Sequence, residues 1–179
     1  MKMNLPNKLT ILRVLLVPVY CVLYLYGLKI PALIVFALAS FTDLLDGKIA
    51  RSTHQVTDFG KFMDPLADKL LVGSAMICFV QDGAVAAWVV VILIGREFVI
   101  SGFRLVAATK GIVIAADIWG KIKTVVQMAA IVALLLPIEA QWFYILCQVL
   151  VYASVALTLI SVGNYILSNP GVLRESEDK

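Results

Sequence analysis

Asp43-Leu44-Leu45-Asp46-Gly47-Lys48-Ile49-Ala50-Arg51, then eight residues, then Gly60-Lys61-Phe62-Met63-Asp64-Pro65-Leu66-Ala67-Asp68, runs directly into the apolar stretch Leu70–Val80. That apolar stretch covers only about half of the roughly 20 residues a helix needs to cross a bilayer. It reaches full length only by taking in the charged residues before it. Val85–Ile94 behaves the same way in mirror image, with Arg96, Glu97 and Arg104 after it. The chain therefore reads as helices that are apolar at one end and charged at the other.

Working outward, six helical segments are expected at 9–28, 30–51, 59–81, 84–107, 119–138 and 142–167. Pro31, Asp82-Gly83, Lys110-Gly111 and Pro137 punctuate them. Charges fall late in the second and fourth segments and early in the third and fifth, where Lys121 and Lys123 lie. Lys8 and Arg13 come early in the first. Successive spans alternate in direction, so every charged end gathers on one side. Of 15 Lys and Arg residues, Lys29 alone falls on the other. By the positive-inside rule the charged side is cytoplasmic, with both termini there.

Composition agrees. The chain has 179 residues, 61% hydrophobic and 15% charged, with a mean hydropathy of +0.96. Soluble domains run near 45–50% apolar and about 25% charged. There is too little polar surface here for a water-soluble globule, which excludes a soluble enzyme, a disordered chain and a coiled coil. A net charge of +3 without a basic tail gives no reason to expect nucleic acid. The expected fold class is all-α, a polytopic membrane protein with one domain over 1–167 and a polar tail over 168–179. Cys21, Cys78 and Cys147 sit singly in apolar runs and read as packing residues. The start resembles a signal peptide, but Arg13 interrupts the apolar stretch and no small-x-small site follows Tyr26, so it reads as an uncleaved first span.

A charge at mid-helix in lipid costs about 2.5–3.5 kcal/mol. Asp43, Asp46, Asp64 and Asp68 together must therefore face inward, around a water-filled cavity open to the cytoplasm. The first pair is three residues apart and the second four, so each pair shares a helical face, and two antiparallel helices can oppose them. Four carboxylates in that space do not all stay ionised without cations. Their all-oxygen chemistry favours Mg²⁺ or Mn²⁺ over Zn²⁺, and two such ions can hold a pyrophosphate for in-line displacement. The alternative is a set of internal Asp–Lys/Arg pairs without metal.

The string fits D-x2-D-G-x2-A-R-x8-G-x3-D-x3-D without a departure, and so resembles the signature of the CDP-alcohol phosphotransferase family. The resemblance implies a six-span membrane enzyme, commonly a homodimer, that moves a phosphatidyl or similar group from a CDP-linked donor to an alcohol. It implies that Asp43, Asp46, Asp64 and Asp68 hold two metal ions and that Asp68 is the general base on the acceptor hydroxyl. It places Gly47, Ala50, Arg51 and Gly60 around the cytidine nucleotide. Two of these roles suit the residue types independently: glycines allow close approach, and Arg51 is a planar partner for phosphate. Helix packing and interfacial anchoring are their alternatives.

Further strings narrow the branch. Pro6-Asn7-Lys8-Leu9-Thr10-Ile11-Leu12-Arg13 is similar to the family's P-N-x-L-T-x-x-R opening and is expected to form a short interfacial helix before the first span. Gly95-Arg96-Glu97-Phe98, Arg104 and Trp119-Gly120-Lys121-Ile122-Lys123-Thr124 resemble the branch whose donor is CDP-diacylglycerol and whose acceptor is sn-glycerol 3-phosphate. An acceptor with its own phosphate dianion needs fixed cations, and Arg96, Arg104, Lys121 and Lys123 supply four. Lys121 and Lys123 are two apart and do not share a face, which leaves one open to lipid headgroups. Glu97 either orients an arginine or neutralises one. The implied setting is a bacterial cytoplasmic membrane, with the site on the cytoplasmic side.

Rivals are a sibling enzyme acting on serine, inositol phosphate or phosphatidylglycerol, and a divalent-cation transporter. Serine would not need the four cations, and a transporter would need polar groups on the far side of segments 2–5, which are nearly bare. His54 reads as a solvated loop residue, Thr57 or Asp58 as a cap for the helix that follows, and Asp117 as a cap for the fifth segment. Trp88 and Trp142 suit interfacial anchoring. Gln127, Gln148 and Asn164 are open between interhelical bonds and dimer contacts.

Overall fold

The structure is a computed structural model and describes residues 4–52, 57–111, 114 and 117–169; the side chains at 5, 6, 44–52, 58, 59 and 61 lie outside that description. Among the described residues there are six helices and no strand: α1 Leu5–Leu25, α2 Lys29–Ser52, α3 Asp58–Gln81, α4 Ala87–Thr109, α5 Ile118–Leu135 and α6 Gln141–Leu167. They match the six expected segments. Three of them contain stretches long and apolar enough to cross a membrane, Asn7–Leu25, Ile118–Leu135 and Gln141–Leu167. The all-helical class is the one expected, and these apolar helices mark a membrane protein.

The expected separate interfacial helix is not there. Residues 5–13 are the first turns of α1 itself, a single helix of 21 residues. The reason is local. Asn4 caps the helix, its side chain accepting from the Asn7 N–H at 3.2 Å, and Pro6 sits in the first turn, where its missing N–H costs nothing. No residue between Lys8 and the apolar run breaks the ladder. The helix ends before Gly27, whose φ of +78° is accessible to glycine at little cost.

The chain forms two compact units. The first is Met1–Ala84 with Ile131–Ile138. In it α1 packs against both α2 and α3. Asn7, Thr10, Arg13, Val17, Tyr20 and Tyr24 are all buried and recur every three or four residues, so one stripe of α1 is the core of this unit. The stripe is polar at its N-terminal end and aromatic at the other. Tyr20 meets Phe36 of α2 at 5.9 Å between ring centroids, and Tyr24 meets Phe79 of α3 edge-on at 5.4 Å. The Tyr24 hydroxyl donates to Asp82 just beyond α3, whereas the buried Tyr20 hydroxyl has no hydrogen-bond partner among the described residues.

The second unit is Val85–Ala130 with Glu139–Lys179. Here α4 packs on α6. The buried face of α6 is Phe143, Cys147, Val151, Ser154, Thr158, Ser161 and Tyr165, again spaced by three and four. It begins apolar and then carries the small hydroxyls of Ser154, Thr158 and Ser161, the residue type that lets membrane helices approach closely. Ser154 and Thr158 donate to the carbonyls of Leu150 and Ser154 at 2.8 and 2.6 Å, so neither hydroxyl is left bare in the apolar interior.

Candidate active site

In the first unit the polar end of α1 organises the aspartates. Arg13 has no exposed surface; its Nη1 lies 2.8 Å from Asp43 Oδ1 and its Nε donates to the Ala39 carbonyl at 3.2 Å. Thr10 Oγ1 donates to Asp64 Oδ1 at 2.5 Å. Thr57 is the N-cap of α3, as its place in the sequence suggests: its Oγ1 accepts from the Gly60 N–H at 3.0 Å and donates to Asn7 Oδ1 at 2.8 Å. Three residues of α1 thus hold one aspartate of α2, one of α3, and the cap between them. Both aspartate contacts use Oδ1, which leaves Oδ2 of each carboxylate to another partner.

Gly60 is buried in this arrangement. A Cβ there would sit 3.3 Å from Thr57 Oγ1, 3.4 Å from Asn7 Oδ1 and 3.5 Å from Asp64 Oδ2. Side-chain oxygens therefore crowd the space that glycine leaves. Asp64 and Asp68 lie four residues apart on α3, on one face, both partly buried. Asp46, Gly47, Ala50 and Arg51 lie on the stretch of α2 whose side chains are outside the described residues, and His54 lies outside them altogether. Among the described residues no three acidic, His or Cys side chains form a metal-binding group; the Asp46 side chain lies outside them. The donor chemistry of Asp43, Asp64 and Asp68 suits a hard divalent cation such as Mg²⁺ or Mn²⁺. The Arg13–Asp43 pair realises one element of the alternative, an internal ion pair.

In the second unit Arg96, Glu97, Arg104, Asp117, Lys121 and Tyr165, with Gly120, Thr124 and Val125, line a cavity of about 380 Å³. Glu97 is its organiser. Its Oε1 lies 2.9 Å from Arg96 Nη1 and 2.7 Å from Lys123 Nζ. Arg96 Nη2 donates to Ser161 Oγ at 2.7 Å. Gly120 makes room for that guanidinium, since a Cβ on it would sit 2.9 Å from Arg96 Nη2. Arg104 Nε donates to Tyr165 Oη at 3.0 Å, and its guanidinium carbon lies 5.7 Å from the centre of the same ring.

Three of the four expected acceptor cations, Arg96, Arg104 and Lys121, therefore line one cavity. Lys123, at 2% exposure, is buried behind it on Glu97. The two lysines separate as their two-residue spacing implies, with Lys121 exposed. Glu97 orients Arg96 and also neutralises Lys123, combining both expected roles. The motifs do not by themselves mark Asn7, Thr10, Gly120, Ser161 and Tyr165 as site residues. Asn7 and Thr10 lie within the quoted opening string and Gly120 within the quoted fifth-segment string. For Ser161 and Tyr165 the signal was the polar run at helical spacing on α6.

The sequence model of the family described as CDP-alcohol phosphatidyltransferase matches residues 3–160. A protein of Bacillus subtilis (strain 168) named CDP-diacylglycerol--glycerol-3-phosphate 3-phosphatidyltransferase is 41% identical, over 97% of this chain and 98% of that protein. A probable phosphatidylglycerophosphate synthase of Mycobacterium tuberculosis (strain CDC 1551 / Oshkosh) is 38% identical, over 91% of this chain and 80% of its own length. A further CDP-diacylglycerol--glycerol-3-phosphate 3-phosphatidyltransferase, from Rickettsia typhi (strain ATCC VR-144 / Wilmington), is 36% identical, over 90% and 94%.

Proposed function

Because the chain belongs to the CDP-alcohol phosphatidyltransferase family, we propose that it transfers the phosphatidyl group of CDP-diacylglycerol to sn-glycerol 3-phosphate, giving phosphatidylglycerophosphate and CMP. The names of the relatives support the reaction. The observation that carries the acceptor is the cavity walled by Arg96, Arg104 and Lys121. Fixed guanidinium and ammonium groups are what a phosphate dianion requires, and serine has no phosphate to meet them.

Asp43, Asp46, Asp64 and Asp68 would hold Mg²⁺ or Mn²⁺, two ions in this reading, which would neutralise the donor pyrophosphate. Thr10 and Arg13 keep two of those carboxylates oriented. Gly47, Ala50, Arg51 and Gly60 line the nucleotide. Asp68 takes the proton from the 1-hydroxyl of glycerol 3-phosphate as that oxygen attacks the lipid-side phosphorus. The bond from that phosphorus to the CMP oxygen breaks, CMP leaves with the electron pair, and Asp68 returns its proton to solvent. Arg104 and Lys121 hold the acceptor phosphate, Arg96 adds to the field, and Lys123 acts through Glu97.

The membrane setting follows the same reading. All six helices span the bilayer as one domain over 1–167 with a tail over 168–179, both termini and the site face the cytoplasm of a bacterium, and the enzyme works as a homodimer among membrane lipids. The large apolar side chains exposed on the helix surfaces, such as Leu15, Ile34, Leu38, Ile77, Val91 and Leu159, support burial in lipid.

The test is CMP release from CDP-diacylglycerol by purified protein in detergent, with Mg²⁺ or Mn²⁺, offered glycerol 3-phosphate, serine or inositol phosphate in turn. Release that needs both the metal and glycerol 3-phosphate supports the proposal; release with another acceptor overturns the roles of Arg96, Arg104 and Lys121. Asp68→Asn should lower kcat by about 10²-fold or more, the range for loss of a general base, in protein that still folds. Near-normal turnover would contradict the base assignment.

A further inference from the structure

Asp117 is the odd member of the cationic cavity. Its Oδ2 is buried and has no hydrogen-bond partner, although the residue lines the same space as Arg104 and Lys121. Lys121 is four residues on, the spacing at which an acid and a base pair along a helix. The Lys121 N–H does bond the Asp117 carbonyl at 3.2 Å, so the first turn of α5 is closed through the backbone. Among the described residues, however, no ion pair joins Asp117 to either Lys121 or Arg104. A buried carboxylate oxygen left without a donor is destabilising. A ligand that brings a donor recovers that cost.

The remaining groups say what kind of ligand. Arg96 is held through both Nη atoms by Glu97 and Ser161, and its remaining donor, Nε, is buried without a partner among the described residues. Arg104 keeps its Nη atoms beyond its bond to Tyr165, and Lys121 stands exposed at the wall. Two available cations call for an anion, while a bare phosphate would meet repulsion from Asp117. A ligand with phosphate at one end and a hydroxyl donor at the other satisfies all three groups. We infer that Asp117 accepts a hydrogen bond from the hydroxyl of the acceptor that is not attacked, the secondary hydroxyl of glycerol 3-phosphate, and so selects polyol phosphates over simple alkyl phosphates. This rests on the proposed acceptor and names the residue that would read it.

The test crosses variant with substrate. Wild type, Asp117→Ala and Asp117→Asn are assayed with glycerol 3-phosphate and with 3-hydroxypropyl phosphate, which keeps the phosphate and the attacking hydroxyl but lacks the secondary one. Removing a carboxylate from beside two cations should help any phosphate bind, so the readout is the ratio of kcat/KM for the two acceptors. Asp117→Ala should cut that ratio by about ten-fold or more, with KM for CDP-diacylglycerol unchanged. Asp117→Asn, which still accepts a hydrogen bond, should keep most of it. An unchanged ratio in Asp117→Ala, or equal loss with both acceptors, overturns the inference while leaving the reaction intact. Failure of folded wild type to use glycerol 3-phosphate at all overturns the acceptor itself, and this inference with it.

Discussion

Arg96, Arg104 and Lys123 look equivalent in the sequence, yet each meets a different partner in the second unit. Arg104 is held by one tyrosine, through a hydrogen bond and the face of the ring. Tyr165→Phe keeps the ring and removes the hydroxyl, a loss of about 1 kcal/mol. It should raise KM for glycerol 3-phosphate several-fold and leave KM for CDP-diacylglycerol unchanged in steady-state assays. Gly120→Ala should do the same by a steric route, because its new methyl would stand 2.9 Å from Arg96 Nη2 and push the guanidinium off Ser161. Gly60→Ala belongs to the other unit and should act on turnover. Its methyl would crowd Thr57 Oγ1 at 3.3 Å, the hydroxyl that caps α3 and bonds Asn7, and shifting that cap beside Asp64 should lower kcat several-fold. None of these tertiary partners could be read from local spacing, which pairs residues only along one helix. The shared face of Asp64 and Asp68 was legible because a four-residue spacing fixes a face on a helix whatever the neighbours are.

At the scale of elements, the helices were legible from the alternation of apolar runs and punctuation, and their ends less so. α4 begins at Ala87, not near 84, with Ala86 as an N-cap that makes no side-chain bond, so no capping residue marked the start. α5 stops at Leu135, short of the expected 138, because Pro137 disfavours helical geometry in the residue before it. α1 ran through its expected break because Asn4 and Pro6 begin a helix instead of ending one. The link between α4 and α5 is the Glu97–Lys123 pair, with Lys123 2% exposed and Glu97 27%. Lys123→Met should leave Glu97 short of a cation and lower stability by on the order of 3 kcal/mol. Adding Glu97→Gln should restore part of it, so a thermal-melt double-mutant cycle in detergent should be strongly non-additive. Additive losses would mean that the pair holds nothing together.

For the whole molecule, the charged helix ends, the apolar outer surfaces and the family assignment lead to one picture: a membrane enzyme that joins a lipid donor to a water-soluble phosphate. In the orientation we propose, the Asp82 end of α3 would face away from the cytoplasm and the Asn169 end of α6 would face into it. With the native cysteines replaced by alanine, Gln81→Cys should react with a membrane-impermeant maleimide in intact cells, and Asn169→Cys only after permeabilisation; the reverse pattern would invert the topology. The acceptor is the central claim. Purified protein should be incubated with CDP-diacylglycerol, Mg²⁺ or Mn²⁺ and carbon-labelled sn-glycerol 3-phosphate, and the label counted in the organic phase. The account predicts label in a lipid carrying a phosphate monoester, formed in equal amount with CMP. CMP formed without label in lipid, or no CMP from folded protein, would contradict it.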